Sequence, residues 1–158
     1  MHDKPLPEHA FLQQIVGEWT YESECFMGPD KPMEKFAGTE TVRSIGGLWV
    51  VGEGKGTMPG GGDATIIVTL GYDSALKKYV GTWIGSMMAR LWVYDVTVDG
   101  NTINMDSDGP AMDDPSKTVR YRDAIQIVSP DHRVFTASFT GNDGQPMTFM
   151  TAHYRRAK

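Results

Sequence analysis

The pattern of apolar and polar positions repeats with a period of two over most of the chain. In the stretch from Leu70 to Asp95, Val80, Thr82 and Ile84 alternate with Tyr79, Gly81 and Trp83. The next run sets Arg90, Trp92 and Tyr94 against Leu91 and Val93. Alternation of this kind, broken at short intervals by tight turns, predicts an antiparallel meander. Upstream, Trp19, Tyr21, Ser23 and Cys25 share one strand face, and Phe36, Gly38, Glu40 and Val42 another. Further strands are expected over 34–44, 48–58, 64–72, 102–107, 118–128, 134–140 and 147–156. Glycine and proline punctuate them at residues 28–33, 46–47 and 59–63, and an Asp99-Gly100-Asn101 hairpin signal follows the sixth strand. Only Pro7 to Ile15 carries a helical spacing, with Phe11, Leu12 and Ile15 on one face; it is expected to cap one end of the sheet.

About ten strands at hairpin spacing, with no long crossover, point to an all-β, up-and-down antiparallel barrel preceded by a short helix, because a long meander with free edges would template aggregation. A chain of 158 residues without a composition break is expected to form one domain over 1–158. Parity leaves open which face of the fifth strand points inward, since both are apolar, and whether the interior is hollow or filled.

Composition narrows the function classes. The net charge of -5 is spread without basic blocks, which argues against nucleic-acid or membrane partners. The single cysteine, Cys25, admits no internal disulfide, and no apolar run reaches signal-peptide or membrane-spanning length; a cytoplasmic protein is expected. Ten methionines and sixteen aromatic side chains (four Trp, six Tyr, six Phe) supply adaptable apolar groups of the kind that line cavities.

Motifs for chemistry are sparse. Residues 59–63 (PGGGD) lack the Lys-Ser/Thr and following helix of a phosphate loop. Asp106, Asp108, Asp113 and Asp114 do not have the spacing of an EF-hand loop, and a solvated turn accounts for them. The four histidines fall into no metal-ligand spacing, so neither a metal nor a cofactor is expected. Cys25 with His132 or His153, or Asp123 with Arg90, Arg120 or Arg122, are the pairs on which an enzyme reading would rest.

Gly17 and Trp19 after a short helix, with Arg155 or Arg156 closing the last strand, resemble the end-closing signature of the calycin barrels, in which an arginine packs across a tryptophan at the barrel floor. The wider series is Gly-Glu-Trp at 17–19, Gly-Gly-Leu-Trp at 46–49, Leu-Gly-Tyr-Asp at 70–73, Tyr-Val-Gly-Thr-Trp at 79–83 and the closing Tyr-Arg. It is similar to the bacterial family known as domain of unknown function fifteen-seventy-nine. That resemblance implies a lipocalin-like barrel and brings no activity with it.

A barrel with aromatic and methionine side chains inside suits a small, mostly apolar ligand with one polar end, such as a fatty-acid-like or aromatic metabolite. The residues expected to bind it are Trp19, Tyr21, Trp83, Arg90, Trp92, Tyr121, Arg122 and His153, with Arg90 or Arg122 meeting a carboxylate. The alternatives are an enzyme acting on a small apolar substrate, a module that forms a homodimer, and a haem barrel. Nitrobindins resemble the chain in size and strand count, and that resemblance implies His153 as axial ligand, yet their glycine-rich first-strand motif is replaced by Thr20, Tyr21 and Glu22.

Overall fold

The computed structural model describes residues 2–158. One helix, α1 (Pro7–Gln13), precedes ten strands: β1 (Gly17–Cys25), β2 (Glu34–Ile45), β3 (Trp49–Thr57), β4 (Asp63–Asp73), β5 (Lys78–Gly85), β6 (Met88–Asp99), β7 (Thr102–Pro110), β8 (Thr118–Ser129), β9 (His132–Thr140) and β10 (Pro146–Arg156). Each strand pairs antiparallel with its sequence neighbours, and β1 pairs with β10, so the meander closes into a barrel with no free edge. The expected fold class is therefore the observed one. No helix among the described residues is long and apolar enough to cross a membrane.

Closure follows from the alternation. Inward positions are large and apolar at one end, where Leu12, Ile15, Trp19, Val42, Val50, Leu70, Val96, Ile103, Met105 and Ile125 form one buried cluster. This end is the floor. α1 seats on it against β3 and β4, held by His9, which accepts the Leu6 backbone N–H at Nδ1 (2.9 Å) and donates from Nε2 to the Tyr72 carbonyl (2.9 Å). The helix ends at Gln13, two residues before the Ile15 expected to close it. Ile15 and Val16 bond back to Leu12 and Gln13 in tight turns, because the chain must bend into β1 at Gly17.

Gly17 explains the sequence signature physically. Its φ of 141° lies where side chains are disfavoured, and the guanidinium of Arg156 occupies the place a Cβ would take. Arg156 donates to the carbonyls of Val16 (2.7 Å) and Pro130 (2.9 Å), tying the last strand to the first and to the β8–β9 turn.

A second departure from the expected boundaries concerns β7, which continues through Pro110 rather than stopping at Ser107. Asp108, Gly109 and Pro110 pair with Arg120, Val119 and Thr118. The proline is tolerated because it ends the strand, where no further N–H is required.

Candidate lumenal binding site

Above the packed floor the barrel is hollow. A cavity of about 620 Å³ opens at the end opposite α1, between the loops that join β1–β2, β3–β4, β5–β6, β7–β8 and β9–β10. Its walls are mostly apolar. Met58, Met87, Met88, Met112 and Met150 lie around the mouth, and Trp83, Trp92, Tyr121 and Phe149 form an aromatic belt beneath them. The belt is interlocked: the Trp92 and Tyr121 rings meet edge-on at 5.5 Å, and Tyr121 and Phe149 at 6.5 Å. Space for these side chains comes from small neighbours. A Cβ on Gly109 would collide with the Trp92 ring, and the inward positions Gly52 and Gly54 of β3 leave one wall thin. At the β10 bulge between Thr148 and Met150, successive residues Phe149 and Met150 both reach the lumen, which strict alternation would forbid.

Of the residues singled out from the sequence, Tyr21, Trp83, Arg90, Trp92 and Tyr121 line this cavity. On β5 the face carrying Trp83 points inward and Ile84 is exposed, which settles the parity that the sequence left open. Trp19 lies below the cavity as its floor. Its ring is held between two guanidinium groups, Arg156 at 4.4 Å and Arg133 at 4.6 Å. Arg155, the other candidate for that role, is exposed.

Two of the expected binding residues are corrected. Arg122 points outward and forms a two-pronged ion pair with Asp106 at 2.7 and 2.8 Å. Its strand neighbours Tyr121 and Asp123 are inward, and adjacent residues on a strand take opposite faces. His153 is exposed on the outer face of β10 for the same reason, between Ala152 and Tyr154, which line the lumen. It stacks on His132 at 5.3 Å with a 3.1 Å Nε2···Nδ1 contact. A haem in the lumen cannot reach it.

None of the enzyme pairs is joined by a hydrogen bond or ion pair: Asp123 is bonded to Tyr94, Arg90 to the Asp108 carbonyl, and Cys25 to the Phe26 carbonyl. Burial, with Glu34 nearby, pushes the Cys25 thiol pKa up, the opposite of nucleophile activation. Arg120 lies outside the lumen, bonded to Asp95 and Asp108. Among the described residues no group of three or more His, Cys, Asp or Glu side chains is placed to hold a metal ion.

Charged side chains remain inside at three levels. At the bottom, Arg133 and Glu40, both almost fully buried, form a direct ion pair. The Arg133 guanidinium also lies 4.2 Å from the Tyr154 ring centre, and its Nε has no hydrogen-bond partner; the Trp19 and Tyr154 ring faces stand in for an acceptor. Burial, reinforced by Glu40, pushes the hydroxyl pKa values of Tyr154 and Tyr21 up, keeping both neutral. Halfway up, Tyr94 donates a 2.6 Å hydrogen bond to Oδ2 of Asp123. Desolvation pushes the Asp123 pKa up to about 6, against the lowering effect of the Tyr94 bond and with a smaller raising contribution from Asp106. At the mouth, Arg90 lies 4.8 Å over the Trp92 ring and donates to the Asp108 carbonyl at 3.0 Å.

Sequence reasoning missed the Arg133–Glu40 pair. Both residues sit at inward parity, which was the available signal, but their strands are distant in sequence and nothing local couples them.

Residues 4–156 match the profile of the family described as "Protein of unknown function (DUF1579)". No curated protein matches the chain. Among solved structures, the chain is similar to Rv2717c from M. tuberculosis (TM-score 0.62, 11% identity, 98% of this chain and 100% of that one). It is also similar to the S-type phycobiliprotein lyase CPES from Guillardia theta (TM-score 0.57, 12% identity, 98% and 99%). A third similar structure, EF1p2_mFAP2b bound to DFHBI, gives a TM-score of 0.53 at 12% identity over 95% and 99% of the two chains. At these identities the likeness concerns the barrel.

Proposed function

We propose a function from this premise: the chain belongs to the DUF1579 family and closes into a ten-stranded barrel. It binds a small, mostly apolar ligand, aromatic or chain-like, inside the barrel. The observation that carries this reading is the cavity itself: about 620 Å³, apolar-walled and open at one end, in the size range of drug-like ligand pockets. A barrel whose purpose was solely structural would gain stability by filling that space, since an unfilled cavity forgoes dispersion contacts. The methionine-rich mouth adds an adaptable rim. One barrel of similar outline is bound to DFHBI and another is a phycobiliprotein lyase, which agrees with the reading without specifying the ligand.

The test uses N-phenyl-1-naphthylamine, a neutral apolar fluorophore. It is expected to bind the wild-type protein at one site with blue-shifted emission. Gly54→Phe projects a ring into the lumen from a position whose Cβ meets nothing closer than 3.7 Å, so the fold is retained and binding is lost. No binding to the wild type, or unchanged binding to folded Gly54→Phe, would refute the reading.

A further inference from the structure

The charges inside the cavity are unevenly matched. Arg133 is balanced by Glu40 in direct contact. Arg90, at the mouth, is exposed, bonded to the Asp108 carbonyl and laid on Trp92. Asp123 has no cation. Among the described residues it enters no salt bridge, and its one hydrogen-bond partner is the Tyr94 hydroxyl, on Oδ2, which leaves Oδ1 without a partner. The elements around it supply no further neutraliser. Facing Asp123 are Met105 from β7 and Ala137 from β9, with Tyr121 and Ile125 flanking it along β8. Behind the wall, Asp106, itself paired with Arg122, disfavours a charge on Asp123. Tyr21, Tyr154 and the Arg133–Glu40 pair lie lower in the same lumen. A carboxylate beside aromatic rings, in an apolar cavity, is the arrangement that recognises a cationic nitrogen by charge and by ring face together.

We infer that the lumen selects a ligand carrying a protonated amine or comparable cationic nitrogen on an apolar body, with Asp123 as its counter-ion. This rests on the lumenal binding reading and deepens it. A fatty-acid-like ligand is disfavoured at this depth, because its carboxylate would meet Asp123, Arg133 is already paired with Glu40, and Arg90 lies exposed at the mouth.

Three ligands of equal chain length, decylamine, 1-decanol and decanoate, are compared by displacement of N-phenyl-1-naphthylamine, below their aggregation concentrations. At pH 7.5 decylamine is expected to bind at least about tenfold more tightly than decanol, the scale of a charge-assisted contact, and decanoate more weakly than either. Lowering the pH to 5 protonates Asp123 and brings the amine-to-alcohol ratio towards one. In Asp123→Asn that ratio is about one at both values. Should Asp123→Asn fail to fold, Tyr94→Phe decides: losing the bond that favours the ionised carboxylate moves the midpoint of the ratio to higher pH. A wild-type ratio of one at pH 7.5, a pH-independent ratio, or a preference for decanoate overturns the inference and leaves the cavity reading standing. Failure of all three to displace the probe overturns the inference, and failure of the probe itself to bind overturns both.

Discussion

Glu40→Gln is the sharpest probe of how the barrel floor is held. The substitution keeps side-chain volume and one acceptor but removes the charge that faces Arg133. The Arg133 side chain is 3% exposed and the Glu40 side chain 11%, so solvent cannot take over as counter-ion. Removing one member of a buried pair costs roughly 3–5 kcal/mol because the other charge is left uncompensated. The ring faces of Trp19 and Tyr154, at 4.6 and 4.2 Å from the guanidinium, remain in place and offset part of that loss. A cost near 3 kcal/mol is therefore expected, about the low end of that range. With a urea m-value of about 2 kcal/mol/M for a domain of this size, the unfolding midpoint should fall by about 1.5 M. Equilibrium urea unfolding followed by far-ultraviolet circular dichroism measures it. The double variant Glu40→Met with Arg133→Met, which removes both charges and keeps apolar volume, should be less destabilised than Glu40→Gln alone. A midpoint shift under about 0.5 M for Glu40→Gln, or simple additivity of the two sites, would refute the account of the floor.

Gly17→Ala should lower the melting temperature by at least about 3 °C, since it forces a side chain into disfavoured backbone space and displaces Arg156; an unchanged melting point in calorimetry would contradict this. Asp123, with its folded pKa raised to about 6 above an unfolded value near 3.8, binds its proton more readily in the folded state. Its contribution to stability is therefore largest below pH 4 and lost as the pH rises to about 6, by about 3 kcal/mol in all. The difference in urea-unfolding free energy between Asp123→Asn and wild type should accordingly grow in favour of the variant over that window, and a pH-independent difference would refute the assignment. Arg122→Ala and His153→Ala, both on the outer face, should leave lumenal probe affinity within about twofold, with Arg122→Ala costing no more than about 1 kcal/mol of stability as an exposed ion pair. A larger loss of affinity in either variant would return that residue to the binding site.

The two errors in the expected binding set have one cause. Tyr121 and Arg122 are adjacent on β8, and period-two geometry allows only one of them into the lumen. His153 fails by the same rule, since Ala152 and Tyr154 on either side are the inward residues. Both were chosen for chemical type, and parity would have rejected them. Asp123 illustrates the converse. Its place on the same strand face as Tyr121 was legible from alternation, but its isolation from any cation was not. That isolation depends on the other strands, which bring Arg133 into the lumen already paired with Glu40 and leave Arg90 at the mouth.

From the sequence alone came the elements and their order, which depend on neighbours along the chain. Alternation defined the strands, glycine and proline the turns, and the spacing of hairpins the closed meander, while the family resemblance put Gly17 and Trp19 at its base. Tertiary structure decided what depends on residues far apart in sequence: the burial of Glu40 against Arg133, the hollow above them, and an unpaired carboxylate within it. The division is physical. Side-chain direction on a strand is a local property of the backbone, whereas which charges meet across a lumen is set by barrel closure and register, and no short stretch of chain contains that information.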